Sequence, residues 1–235
     1  MAGESQAQAE ELARDKRVIL IGEDQALYAA GGMFGEVDPG RIRSAPISEP
    51  GFTGMAIGAA MTGLRPIVDL TIASFVYLAS DQIINQVAKT RYIFGGKARV
   101  PLVIRGQQGV GRGNAATHSQ SMEAVFMHFP GLKVVLPSDA ADAAGLLRTA
   151  IRDDNPVMFI EHKALYAVKG EVPDDPAWAV PFGKARIVRP GRDVTIIATH
   201  TYVAKAVAAA QQLAAEGIEA EVIDPRTLVP LDMET

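Results

Sequence analysis

Cysteine is absent from the 235 residues. Without a thiol there is no disulfide, no thiolate metal site and no cysteine nucleophile. The absence fits a cytoplasmic protein. An excess of positive charge is also missing: 23 Lys and Arg face 27 Asp and Glu, giving a net charge of −4. No basic block is placed to follow a phosphate backbone, so the reading expects no nucleic acid. Residues 1–17 are polar and charged and lack the apolar core of a signal peptide. The uncharged run 50–64 is too short and too rich in glycine for a membrane span, so the chain is read as soluble, with no membrane partner. No Gly-x-Ser-x-Gly elbow surrounds any serine, which discounts a hydrolase built on Ser48 and His118. No His/Asp/Glu cluster has metal-ligand spacing.

What the chain does have is a large apolar fraction, 48% against 21% charged, enough for a substantial core. Its length suits one large domain, or one domain and part of another. Short β-branched runs at 18–21, 66–70, 102–104, 134–136 and 157–160 are nearly all apolar. Such runs are expected of strands covered on both faces. Helical patterns lie between them, near 52–63, 75–94, 120–128 and 139–151. Pro137-Ser138-Asp139 supplies N-cap chemistry for the last. The alternation predicts an α/β fold, a mostly parallel sheet with helices on both faces.

The composition changes at 164–193, where Pro173, Pro176, Pro181 and Pro190 are interspersed with acids. This segment reads as an interdomain linker between a domain at 1–163 and a second unit at 194–235. The second unit offers a strand at 194–198, an alanine-rich helix at 202–215 and a strand at 220–223. One βαβ unit is small for an independent fold and leaves a sheet edge open. The expectation is that more chain, or another subunit, covers it.

Several residues could carry chemistry. Glu49, in Pro46-Ile47-Ser48-Glu49-Pro50-Gly51-Phe52, precedes a run of small residues that reads as a closely packed helix. Its plain reading is a loop acid, or a carboxylate favoured by the helix dipole. Its functional reading is a hydrogen bond to a buried cofactor. The run Gly106-Gln107-Gln108-Gly109-Val110-Gly111-Arg112-Gly113-Asn114 lacks a Lys-Ser/Thr ending and does not open directly into a helix, which argues against a Walker-type loop. Its glycines suit a loop approaching a ligand. The loop leads to His118, beyond a strand's carboxyl end, where open α/β sheets place ligands; a structural histidine is the plainer reading. Gly22-Glu23-Asp24 ends the first strand at the same edge, and an ordinary turn would explain it. Phe75 is either core or a flat surface for a heteroaromatic ring. Asp153-Asp154-Asn155-Pro156 terminates a helix, and a cation held there by carbonyls would be structural.

The order of these pieces carries a resemblance. Leu20-Ile21-Gly22-Glu23-Asp24, Pro46-Ile47-Ser48-Glu49, Gly58-Ala59-Ala60-Met61-Thr62-Gly63-Leu64-Arg65-Pro66, Asp81-Gln82-Ile83-Ile84-Asn85, Lys89-Thr90-Arg91-Tyr92, His118-Ser119-Gln120, Pro130-Gly131-Leu132-Lys133-Val134-Val135 and Ile223-Asp224-Pro225-Arg226-Thr227-Leu228 are collinear. Together they resemble the β subunit of thiamine-diphosphate-dependent 2-oxoacid dehydrogenases, over residues 12–235. The resemblance implies a transketolase-like pyrimidine-binding domain followed by the first part of a transketolase C-terminal-like domain. It implies that Glu49 contacts N1′ of the cofactor's aminopyrimidine and favours the imino tautomer needed for ylid formation. Phe75 would stack on the pyrimidine, Glu23 would line the interior and Ile47 would lie beside the cofactor. His118 would face the substrate. Carbonyls near Leu102, Ala150, Asp153 and Asn155 match positions that hold structural potassium in some members.

No Gly-Asp-Gly motif occurs. The resemblance therefore assigns the Mg2+ and diphosphate ligands to an α-type partner within an α2β2 assembly. It implies decarboxylation of a 2-oxo acid with acyl transfer to a lipoyl acceptor. The segment 24–47 is short for the family, and the second domain stops after one βαβ unit. These departures leave docking to a lipoyl acyltransferase open, and with it a separate chain completing the second domain. They also leave open a free-standing carboligase, a split transketolase-like subunit and a non-catalytic assembly partner.

Overall fold

A computed structural model describes residues 2–34 and 37–235. The expected start of the first domain at Met1, and two residues of the short 24–47 segment, lie outside the described residues. In chain order the main elements are α1 (Ala2–Arg14), β1 (Val18–Gly22), α2 (Gln25–Ala30), β2 (Ile42–Ser44), α3 (Glu49–Met61) and β3 (Arg65–Ile72). Then come a π-helical turn (Asp81–Val87), α4 (Ala88–Ile93), β4 (Val103–Gln108), α5 (Glu123–Met127), β5 (Lys133–Val135), α6 (Ala140–Arg152) and β6 (Val157–His162). The remainder is β7 (Arg186–Arg189), β8 (Val194–Ile197), α7 (Thr201–Ala215), β9 (Ala220–Asp224) and β10 (Thr227–Val229).

The large sheet has the order β10-β5-β6-β4-β3-β1-β2. Its pairings are parallel, except that β10 runs antiparallel to β5. Parallel strands need crossovers, and the intervening helices cover both faces. On one face Phe52, Ala56 and Ile57 of α3 pack with Val68, Ile104, Met158 and the buried residues of the π-helical turn. On the other, Leu12 of α1 and Leu146, Leu147 and Ile151 of α6 pack against Leu20, Ile67, Val103 and Phe159. The apolar strand runs thus describe a sheet covered on both sides, as expected.

Asp139 caps α6 as its sequence predicts, accepting from the Asp142 amide at 2.8 Å. The pattern at 75–94 is not one helix. A 3-10 turn at Ala73–Tyr77 comes first, and the Ser80 hydroxyl donates back to the carbonyls of Val76 and Tyr77 before the π-helical turn. Such hydroxyl back-bonding competes with a regular helix. The helix near 120–128 is confined to α5. Helices α1 and α2 and strand β2 stand where no element was predicted. Within the segment read as linker, Arg186–Arg189 forms β7, which pairs with β9 in a small sheet of order β7-β9-β8. Trp178 and Val180 of the same segment pack on the α6 side of the core.

Parallel strands bring their carboxyl ends to one edge. β1, β3, β4 and β6 therefore deliver Gly22, Ile72, Gln108 and His162 to the same side of the sheet. β2 ends there too, just before α3.

Candidate active site

Glu49 opens α3. Ser48 occupies the cap position, and Pro50 is tolerated because first-turn amides have no intrahelical acceptor. The Glu49 side chain is only 3% exposed, yet it has no hydrogen bond or ion pair among the described residues. Thr53, one turn further along α3, is also buried, with its hydroxyl unpartnered. A buried carboxylate without a donor is costly unless something fills the gap. Glu23, following β1, shares this space. Its carboxyl is pushed up by burial and then by the charge of Glu49. Two acids thus face one region at the strand ends.

Phe75 lies in the 3-10 turn after β3 and is partly buried. Its ring meets that of His118 edge to face, with centroids 5.2 Å apart and planes inclined at 81°. His118 arrives from the loop after β4, in a 3-10 turn at Ala116–His118. Its Nδ1 is 2.8 Å from the Thr117 hydroxyl, and Nε2 has no partner among the described residues. The Ser74 hydroxyl donates to the Thr117 carbonyl at 2.7 Å, linking the two loops.

The glycine-rich run divides in two. Residues through Gln108 belong to β4, and the loop begins at Gly109. Gly109 has φ +78°, and a β-carbon there would lie 2.1 Å from Nε2 of the buried His162. Only glycine meets both demands. Gln108 is buried; its carbonyl accepts from the Met122 amide at 2.8 Å and its amide donates to Glu123. Strained non-glycine backbone gathers at this edge: Asp24 (φ 55°), Thr71 (φ 61°) and Ala115 (φ 58°).

The predicted residues do not all converge. Glu49 and Glu23 share one space and Phe75 and His118 touch, whereas Ile47 is 81% exposed, at the rim before α3. The expected potassium positions lie at the opposite end of the strands. There the Leu102 carbonyl accepts from the Val157 amide and the Ala150 carbonyl from the Asp153 amide. The Arg65 guanidinium donates to the carbonyls of Ile151 and Asp153, at 3.1 and 2.9 Å. An arginine thus supplies positive charge in that corner. The Asn155 side chain accepts from Arg91. Among the described residues no group of three or more His, Cys, Asp or Glu could hold a metal. No helix there is long and apolar enough to cross a membrane.

Sequence reasoning passed over Gln108, Ser74, Thr117 and Lys163. Their position at strand ends was legible; the contacts that matter, Ser74 to Thr117 and Lys163 to His118, join residues more than forty positions apart. The acids and arginine beneath the site also went unnoticed. There Arg105 makes two bonds to Glu161, at 2.6 and 2.8 Å, and one to Asp69 at 3.2 Å.

Comparison with known proteins places this geometry. Residues 1–169 match the transketolase pyrimidine-binding domain, and residues 183–235 the transketolase C-terminal domain. The chain is 48% identical to the β subunit of acetoin:2,6-dichlorophenolindophenol oxidoreductase from Cupriavidus necator, over 96% of this chain and 71% of that protein. It is 49% identical to the Bacillus subtilis subunit of the same name, over 93% of this chain and 69% of that protein. Identity with the bovine mitochondrial pyruvate dehydrogenase E1 component subunit beta is 46%, over 98% of this chain and 67% of that protein. Among solved structures, the inactive β4 tetramer of a split-gene transketolase superposes with a TM-score of 0.80 at 25% identity, over 98% of this chain and 72% of that one. The chain therefore belongs to the family of 2-oxoacid dehydrogenase β subunits, built on the transketolase pyrimidine-binding and C-terminal domains.

Proposed function

We propose that this chain is the β-type subunit of a thiamine-diphosphate enzyme that cleaves the carbon–carbon bond next to a carbonyl. The observation that carries the reading is Glu49, a buried carboxylate without a protein donor at the carboxyl edge of a parallel sheet. Such a group fits the N–H or protonated nitrogen of a heteroaromatic ring, because a charge-assisted bond offsets its desolvation. Thiamine diphosphate, when bound, supplies an acidic C2 carbon and an electron sink for the cleavage.

The chain's own residues do the rest. Glu49 holds the proton at N1′ of the aminopyrimidine and sets the ring's tautomer. Phe75 offers the ring an aromatic surface. Glu23, its carboxyl raised by burial and then by the charge of Glu49, lines the same space and can bond a polar group of the bound molecule. His118 keeps Nδ1 engaged by Thr117, leaving Nε2 to exchange a proton with substrate. The diphosphate and its Mg2+ belong to an α-type subunit, since no Gly-Asp-Gly occurs here. The exposed Tyr92-Ile93-Phe94 stretch and Ile47 suit burial against other subunits of an α2β2 assembly. In that setting a lipoyl disulfide would take the acyl unit together with two electrons, whereas an artificial dye would take only the two electrons, the acyl unit leaving to water as the carboxylic acid.

The substrate is a 2-oxo acid in the first reading. The relatives of 48% and 49% identity named for acetoin favour a second, in which the α-hydroxyketone acetoin is cleaved. The test is made on the complex copurified with its α-type chain. Calorimetric titration with thiamine diphosphate should show saturable binding. Turnover of pyruvate and of acetoin, followed with dichlorophenolindophenol, should identify the substrate. Glu49→Gln should lower turnover by about 100-fold or more while assembly persists. Full activity in that variant, at saturating cofactor, would refute the reading. Absence of cofactor binding would point to a non-catalytic assembly partner.

A further inference from the structure

Lys163 follows β6, on the short 3-10 turn Lys163–Leu165. It is 3% exposed and has no carboxylate partner among the described residues. Its ammonium instead donates to the main-chain carbonyl of His118, 45 positions earlier. Burying an ammonium costs free energy, and one carbonyl is a modest return. Burial and the charge of Arg112 both lower its pKa, in keeping with that cost.

The surrounding contacts give the lysine a use. Ser74 holds the Thr117 carbonyl, the Thr117 hydroxyl holds His118 Nδ1, and Phe75 meets the His118 ring. Just before this turn, Ala115 takes φ 58° and ψ −169°, a conformation that a residue with a β-carbon keeps only under constraint from its surroundings. Side-chain anchors from the ends of β3 and β6 supply that constraint. The Lys163 anchor acts on the main chain of His118 itself. It therefore fixes the residue without occupying either ring nitrogen.

We propose that Lys163 is a positioning residue for His118, its ammonium clamping the loop so that the imidazole stays against Phe75 with Nε2 free for substrate. The inference rests on the role given above to His118. Lys163 itself acts only through that residue.

The experiment uses the copurified complex with Lys163→Met, which removes the donors at similar length, and Lys163→Arg, which retains them. Amide hydrogen exchange of residues 113–120 is read first. Loss of a charge-assisted bond should accelerate it by about tenfold or more in the Met variant, with the rest of the chain unchanged and the Arg variant close to wild type. Turnover is read second. The Met variant should lose about tenfold in kcat, with little change in KM or cofactor affinity, and its pH profile should shift. In a His118→Ala background the same substitution should change kcat by less than about threefold, since both act as one unit. Unchanged exchange in the Met variant overturns the clamp, as does an equal loss of kcat in both backgrounds. Should the Met variant fail to assemble, Lys163→Gln, with a neutral donor, is put through the same exchange comparison. If His118→Ala alone leaves turnover intact, the catalytic reading of His118 fails, while the exchange result still judges the clamp.

Discussion

The rings of Phe75 and His118 stand edge to face, 5.2 Å between centroids, joining the turn after β3 to the loop after β4. Each residue reaches the other only because β3 and β4 are parallel neighbours whose chains leave the sheet on the same side. An aromatic surface and a titratable ring are thereby fixed as a pair, and replacing either disturbs both.

Phe75→Leu should reveal that coupling. Losing an edge-to-face partner costs about 1 kcal/mol beyond the lost area. The variant is expected to bind thiamine diphosphate several-fold more weakly, measured calorimetrically on the complex, and to lower kcat as His118 loosens. Unchanged affinity and kcat would remove Phe75 from the site.

Gly109→Ala tests the loop's origin. The new methyl would meet His162 Nε2 in a left-handed backbone conformation. Strain and displacement of His162 should destabilise the chain by about 1–3 kcal/mol. Urea unfolding would measure this, and a midpoint equal to wild type would refute it.

Arg105→Met should be among the most damaging single changes. The arginine is surrounded by Glu161, Asp69 and Glu4, at 2.6, 3.2 and 3.7 Å. Removing it leaves the buried Glu161 carboxylate without its cation, at a cost of about 3–5 kcal/mol. Glu161 also accepts from the Tyr166 hydroxyl, so the loss reaches the turn that carries Lys163. The expected result is poor expression or a much lower unfolding midpoint.

Two buried groups should shape stability against pH, with opposite signs. Glu4 of α1 is raised from 4.5 to about 7, chiefly by burial and then by Glu161. It binds a proton more readily when folded, so its contribution is complete below pH 4.5 and is lost as pH rises through 7. His200, before α7, is lowered from 6.5 to about 3 by burial and then by its neighbour His162, whose ring centroid is 5.5 Å away. Its contribution is complete above pH 6.5 and is lost as pH falls towards 3. Glu4→Gln should flatten the decline between pH 4.5 and 7, an effect of up to about 3 kcal/mol. His200→Gln should flatten the acid limb. Urea midpoints across pH check both, and slopes identical to wild type would disprove these assignments.

The sequence by itself determined the layered α/β architecture. Short apolar runs such as that at 157–160 are expected of strands covered on both faces, and the helical stretches between them fit parallel crossovers. It also marked Glu49, Phe75 and His118 as residues worth watching, because their types and order form a pattern along the chain. Tertiary structure decided what the pattern could not hold. Strand order brings β1, β3, β4 and β6 side by side, although their ends are separated by long stretches of chain. That order alone leaves the Glu49 carboxylate buried without a protein donor, stands Phe75 against His118 and turns Lys163 towards the His118 carbonyl. The reason is physical. Burial and periodicity are local properties written residue by residue, whereas the partner of a buried charge depends on which distant segment the packed sheet places beside it.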